Sequence, residues 1–434
     1  MGKPKMKKII IVVGIAIIFA VAAIAVYCFC NRVTATDEEK ASVVKGNNEF
    51  ALSLYAELAK SNKDKNIFFS PYSISNALAM TYAGARGETE KQMKETLHFA
   101  LEQERLHPAF FVLRRELTKL SKKGCELDVA NALYRQTDRE FNRDFLRLVR
   151  KYYDAKLDRV DFVKNPDKAI SEINQWVEKN TKGKITEIIL RKHINKLTRL
   201  ILLNAISFKG EWESKFDKED AFEDIFYSAD GTKKTAFMMS QTGKFRYIKD
   251  SIKMDSFYLV FRMLEIPYIG EDISMIIFLP EERESLPLLE KAMSIENLQK
   301  CFSKLSGEKK EVSVKIPKFK FESEYTLNKN LQNMGIKYAF EDGLADFSGM
   351  TSSMILFISF VLHKAYIEVD EEGTTAAAVT AVVLEEAANE FVADHPFMFI
   401  IRNNTKGSIL FMGRVMDPTK EIEEEVEKSN DTVK

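Results

Sequence analysis

Histidine is scarce in this chain. There are five, His98, His107, His193, His363 and His395, among 434 residues, and none stands at a metal-ligand spacing from another. A Gly-x-Ser-x-Gly elbow, a phosphate loop and a dinucleotide fingerprint are also missing. These absences point away from hydrolytic, nucleotide-dependent and metal chemistry, so the chain reads as no enzyme, with no cofactor and no metal. Asp394 and His395 look like a catalytic pair, but no nucleophile accompanies them and they read as structural. Excess charge of one sign is absent as well. Lys and Arg number 64, Asp and Glu 64, and the net charge is +0, which leaves no global pull toward nucleic acid. The four cysteines are too few and too scattered for a disulfide framework. Cys28 and Cys30 end an apolar run. Cys125 and Cys301 read as free, partly buried thiols, with a bond between them as the alternative.

What the chain does have is a stretch near its C-terminus with no charge, no proline and no ring, from Gly373 to Leu384. As a strand it would place Thr374, Ala376, Ala378, Thr380, Val382 and Leu384 on one face. Thr375, Ala377, Val379, Ala381 and Val383 would occupy the other. Both faces tolerate burial, as a central strand requires. An alanine-rich helix is the competing reading; the Val and Thr content and the Gly373 start favour the strand. The same segment could equally be exposed as a loop.

The second strong feature is N-terminal. Lys3, Lys5, Lys7 and Lys8 precede an uncharged run from Ile9 to Phe29. A bilayer-spanning helix needs about 20 residues, whereas the apolar core of a cleaved signal is about 7–15. Residues 1–30 therefore read as a transmembrane anchor, or an uncleaved signal, with the lysines cytoplasmic and the large domain outside. Small residues at Val33 and Ala35 leave peptidase cleavage and secretion as the alternative. Residues 31–46 read as a linker, and the polar, acidic residues 419–434 as a tail.

Between them, helical periodicity runs from Asn48 to Lys60, Ser73 to Gly84, Phe110 to Lys122 and Ala169 to Thr181. Leu200–Phe208 is a continuous apolar run suited to a central strand. Strands follow at Ala236–Met239, Phe257–Leu264 and Ile273–Leu279, helices at Leu286–Leu305, and strands again at Val312–Phe321. The class is α+β, helix-heavy early and strand-heavy late. Arg114, Arg115, Lys119, Lys122 and Lys123 cluster on one helix, interrupted by Glu116, and read as a solvated face. Asn403–Thr405 and Asn430–Thr432 are glycosylation triplets.

Several segments carry a resemblance. Val361-Leu362-His363-Lys364-Ala365-Tyr366-Ile367-Glu368-Val369-Asp370-Glu371-Glu372-Gly373-Thr374 looks like the reactive-loop hinge of serpins. Phe391-Val392-Ala393-Asp394-His395-Pro396-Phe397-Met398-Phe399-Ile400-Ile401 resembles the serpin C-terminal signature. Asn66 to Leu78, Tyr82 to Thr89 and Leu203 to Trp212 are similar to further serpin segments, in the expected order, over roughly 47–418. The resemblance implies a serpin domain over 47–418, with three β-sheets, about nine helices and an exposed C-terminal reactive loop. It implies a monomer that inhibits serine-type endopeptidases as a suicide substrate, with cysteine proteases as a further target class. The cleaved loop would enter the main sheet and trap the acyl-enzyme. The hinge would be Glu371, Glu372, Gly373, Thr374, Thr375, Ala376, Ala377 and Ala378. Ser70, Ser73, Asn204 and His363 would form the shutter under the main sheet, and Trp212 would mark the breach where insertion begins. Thr375 stands where the family often has Glu, and Val379 where alanine is common. Counting from the hinge places the reactive bond at Ala387–Ala388; counting back from the signature moves it toward Glu385 or Glu386. Small residues suit elastase-like or subtilisin-like proteases, and Glu suits glutamyl-specific ones. A serpin-fold binding or chaperone module without inhibition is the alternative.

Overall fold

The computed structural model describes residues 33–120, 124–138, 140–351, 356–372 and 389–419. The apolar run 9–29 and the tail beyond Thr419 lie outside them. Among the described residues no helix is long and apolar enough to cross a membrane.

The α-helices, in chain order, are α1 (Asp37–Ser61), α2 (Pro71–Tyr82), α3 (Gly87–Thr96), α4 (Gln103–Leu120), α5 (Arg143–Tyr152), α6 (Pro166–Asn180), α7 (Leu286–Ala292), α8 (Ile295–Lys304) and α9 (Asn328–Met334). The strands are β1 (Ile67–Phe69), β2 (Cys125–Gln136), β3 (Lys156–Val160), β4 (Leu200–Gly210), β5 (Phe222–Tyr227), β6 (Lys233–Lys253) and β7 (Tyr258–Pro267). They continue with β8 (Ile273–Pro280), β9 (Lys310–Pro317), β10 (Phe319–Thr326), β11 (Phe360–Val369), β12 (Asn389–Val392), β13 (Phe397–Asn403) and β14 (Ile409–Val415).

A five-stranded sheet runs β10-β11-β4-β2-β3. A nine-stranded sheet runs β1-β14-β13-β8-β7-β6-β9-β12, with β5 also on β6. The three expected sheets are present, two of them fused through β6. Its first half pairs with β5 and β9 up to Phe245, and its second half pairs with β7 from Arg246 onward. The main apolar core includes Leu202, Ile206 and Phe208 of β4 with Phe399 and Phe411 of the larger sheet. A second cluster packs Ala169, Ile173 and Val177 of α6 onto Ile201, Leu203 and Ala205 of β4. Consecutive β4 residues thus enter opposite cores, so the strand is buried on both faces, as its unbroken apolar run requires.

Local chemistry sets the boundaries. The segment expected as a linker, 31–46, is helical from Asp37 onward. Thr36 caps α1 through a capping box with Glu39, Asp37, Glu38 and Glu39 complement the helix N-terminus, and Val43 and Val44 are buried. Polar composition concealed a helix whose second turn is packed. The helices expected over 286–305 are α7 and α8, divided where Ser294 caps α8 by accepting from the Asn297 N–H (3.2 Å). The strands expected over 312–321 are β9 and β10, divided at Lys318, whose N–H donates to the Phe237 carbonyl (2.8 Å). Strand β2 has no clean alternation: Glu126, Asp128, Asn131 and Arg135 interrupt its apolar residues, and its first half is partly exposed.

Candidate functional site

The centre of the five-stranded sheet carries a polar row. Tyr325 of β10, His363 of β11, Asn204 of β4 and Asn131 of β2 are directly opposite one another in successive strand pairs. Ser70 caps α2 beneath the row, its Oγ accepting from the Ser73 N–H (3.1 Å) and donating to the Leu410 carbonyl (2.7 Å). The Ser70 N–H donates to His363 Nε2 (3.3 Å), which makes Nδ1 the protonated nitrogen; Nδ1–H donates to Asn204 Oδ1 (2.6 Å). Asn204 Nδ2 then donates to Ser73 Oγ and to Asn131 Oδ1, each at 2.5 Å. The Tyr325 ring stacks on His363 (6.2 Å, 7°). The structure therefore brings all four expected residues, Ser70, Ser73, Asn204 and His363, into one closed network. It adds Asn131 and Tyr325, whose membership depends on strand register that no local pattern shows.

The network requires a neutral imidazole, since a proton on Nε2 would oppose the Ser70 N–H. Burial pushes the His363 pKa down to about 3. An unfolded histidine titrates near 6.5, so between about pH 6.5 and 3 the unfolded chain binds more protons than the folded one. The His363 contribution to stability is then constant above pH 6.5 and falls as pH drops through that window. His107, lowered to about 4 by burial, acts in the same direction. A His363→Gln chain is expected to be less stable at pH 7.5 by about 1–3 kcal/mol, yet to lose less stability between pH 6.5 and 4. Denaturant midpoints measured across that range check this; parallel pH profiles for the two chains would contradict it.

Strands β4 and β11 run parallel, in register from Phe360↔Ile201 to Ile367↔Phe208. Every other pairing along this sheet is antiparallel except β2 with β3. The seam between β4 and β11 is apolar on its main-core side apart from Asn204 and His363, while its other side is apolar lower down and carries Ser207, Lys364 and Tyr366 above. Leu202, Ile206, Val361, Ala365 and Ile367 face one core, and Ile201, Leu203, Ala205 and Leu362 face the other.

At the head of the seam sits Trp212, 1% exposed. It stacks on Tyr268 (4.5 Å, 10°), and its Nε1–H donates to the Asp370 carbonyl (2.9 Å). Gly210 makes room, because a Cβ there would lie 2.6 Å from the Tyr268 ring. The Phe216 N–H donates to the Glu371 carbonyl (3.1 Å). Glu371 pairs with Lys318 and Glu372 with Lys218, and the Glu372 N–H donates to Asp370 Oδ1 (3.0 Å). Burial raises the Asp370 carboxyl above its ordinary range, against the pull of Lys209. The first two expected hinge residues are thus held at the top of the sheet.

The remaining hinge residues, Gly373 to Ala378, and the reactive-bond candidates Glu385, Glu386, Ala387 and Ala388 lie outside the described residues. Chain description resumes at Asn389, where β12 pairs parallel with β9 of the larger sheet. The segment 373–388 therefore joins one sheet to the other.

Other candidates resolve as structural. His395 contacts Asp394 Oδ1 (2.7 Å) and the Pro280 carbonyl (2.8 Å). Cys125 and Cys301 are free but fully rather than partly buried, and burial pushes each thiol up to about 12. Asn403 is buried and accepts from the Lys406 N–H (2.7 Å), so its triplet presents no accessible acceptor. Arg114 pairs with Asp154 (3.1 Å).

Comparison with known proteins agrees with this geometry. The family described as "Serpin (serine protease inhibitor)" matches residues 45–418. The chain is 42% identical to leukocyte elastase inhibitor A of Rattus norvegicus over 86% of this chain and 98% of that one. It is 40% identical to leukocyte elastase inhibitor of Homo sapiens over the same shares. Among solved structures, native protease nexin-1 with heparin superposes with a TM-score of 0.80 at 30% identity, covering 87% of this chain and 100% of that one. Uncleaved ovalbumin gives 0.76 at 29% over the same shares. A family match over most of the chain, relatives at 40% identity and the same sheet architecture place it together: the chain belongs to the serpin family.

Proposed function

We propose that this protein inhibits serine-type endopeptidases as a suicide substrate. The observation that carries the reading is the parallel β4–β11 seam. Its main-core side is apolar apart from the Asn204–His363 pair, and the charge-free run 373–384 follows directly from its upper end. A strand turning back after Glu372 runs antiparallel to β11. Because β4 is parallel to β11, it runs antiparallel to β4 as well. One parallel ladder, the less stable kind, is exchanged for two antiparallel ones, and uncharged side chains enter both cores.

The chemistry belongs to the protease. Its serine Oγ attacks the carbonyl carbon of the reactive bond, the bond to the following nitrogen breaks, and the new amine leaves with the proton. The ester stays on the residue before the break. Insertion then begins at Trp212 and Glu371, parts the shutter row, and carries the ester-linked protease along the sheet before water completes hydrolysis. The relatives' name, leukocyte elastase inhibitor, supports an elastase-like target and a small residue at the bond, hence Ala387–Ala388 over Glu385 or Glu386. Subtilisin-like, glutamyl-specific and cysteine proteases are further targets to test. The lysine-flanked run 9–29 lies outside the family match and is proposed as a membrane anchor that holds the inhibitor on the outer surface.

The test is incubation of the full chain, in detergent micelles, with elastase, subtilisin, a glutamyl-specific protease and trypsin. An SDS-stable complex with elastase is expected, with a released peptide beginning at Ala388 by mass spectrometry. Clean cleavage without a complex by every protease would sink the inhibitor reading in favour of a binding module. A peptide beginning at Glu386 or Ala387 would relocate the bond.

A further inference from the structure

We propose that the groove between β2, β3 and α5 is a binding site for a compact oligophosphate. Arg135 of β2 and Arg159 of β3 are directly opposite each other in the parallel pairing, an arrangement of like charges that opposes the fold. Arg143 and Arg150, two turns apart on α5, share one side of that helix. All four line a groove of about 370 Å³, within the size range of small-ligand sites.

The charge in this groove is offset only through space, by Glu140, Asp138 and Asp158 acting on Arg135. None of the four guanidiniums has a carboxylate within 4.0 Å among the described residues. Of the two acids at the rim, Asp158 is taken by Lys156 (3.2 Å), which leaves Glu140. Arg147, on the same helix but not in the groove, pairs with Asp144 (3.1 Å). Arg135 is also held in place: its guanidinium lies over the Phe141 ring (5.2 Å) and donates from Nη1 to the Gln136 carbonyl (3.2 Å). A preplaced guanidinium loses little freedom on binding.

The chemistry of the partner follows. Guanidinium forks match the paired oxygens of phosphate and bind them through charge-assisted hydrogen bonds. Four of them, none in contact with a carboxylate among the described residues, call for a ligand with several negative charges in a small volume. Adjacent phosphates supply that, whether in free oligophosphate or in a nucleoside triphosphate. Such a ligand fastens β2 to β3 and α5. Because Asn131 of the shutter row lies four positions before Arg135 on β2, the ligand stiffens the strand bordering β4.

Calorimetric titration and thermal melting of the full chain at low salt test this, with inorganic tripolyphosphate in one arm and ATP in the other. The unaltered chain is expected to bind tripolyphosphate and to melt at a higher temperature with it. The pairs Arg135→Gln/Arg159→Gln and Arg143→Gln/Arg150→Gln are each expected to weaken binding roughly tenfold or more. Arg115→Gln/Lys119→Gln on α4 is expected to leave it unchanged. Without ligand, Arg159→Gln alone is expected to melt no lower than the parent, because a like-charge contact is removed; this separates lost binding from lost folding. Tighter binding of ATP than of tripolyphosphate would identify a nucleotide as the ligand source, and equal binding the free oligophosphate. No binding by the unaltered chain, or equal losses in the groove and α4 variants, would overturn the site.

Discussion

An Ala376→Asp chain is expected to be cut by its target protease and to let that protease go. Ala376 lies early in the charge-free run, so it must enter the seam before the protease has been carried far. The main-core side of that seam is apolar apart from the Asn204–His363 pair, and an unpaired carboxylate buried there costs several kcal/mol. Trapping is a race between insertion and hydrolysis of the ester. Each ~1.4 kcal/mol added to the insertion barrier alone shifts the race tenfold. The SDS-stable complex is therefore expected to fall by at least about tenfold, while the cleavage rate stays within about twofold because the bait itself is untouched. Thr375→Glu is the control, since resemblance to serpins implies that the family accepts Glu there, and trapping is expected to persist. Equal complex formation by the parent and Ala376→Asp would mean that the run does not insert as a strand.

Cleavage of the loop by a protease that is not trapped is expected to raise the melting temperature by roughly 10 °C or more. A strand of about ten residues would gain ladder hydrogen bonds worth about 1 kcal/mol each, and it would place Thr, Ala and Val side chains between two cores. Bulky domains shift by a few degrees or less per kcal/mol, so the sum is visible by calorimetry. The direction matters more than the size: cutting a backbone ordinarily lowers stability. A melting temperature unchanged or lowered after quantitative cleavage between Glu385 and Ala388 would mean that no stress is stored in the uncleaved sheet.

Much of this molecule is legible before any coordinates. Leu200–Phe208 reads as a central strand because consecutive residues are all apolar, and β4 indeed meets a different core on each face. Ser73–Gly84 reads as a buried helix, and α2 starts slightly earlier because Ser70 caps it. The legibility fails where polarity has a tertiary cause. Residues 37–46 look like linker because their charges serve the helix N-terminus and a partner on α4, with Lys40 reaching Glu116 (3.2 Å). Strand β2 looks irregular because Asn131 belongs to a polar row and Arg135 to a charged groove. Neither reason is local, so neither leaves a period in the sequence.

The same division holds for function. Sequence alone determined the family, the uncharged run 373–384 and the residue types of the polar row, because these are carried by contiguous segments whose chemistry is local. Only the tertiary structure decided that His363 must be neutral, that Asn131 and Tyr325 complete its row, and that β4 and β11 leave a parallel seam with that row across it. Those depend on which strand lies beside which and in what register. Side chains hundreds of positions apart, such as Ser70 and His363, acquire their chemistry only when folding removes the water between them.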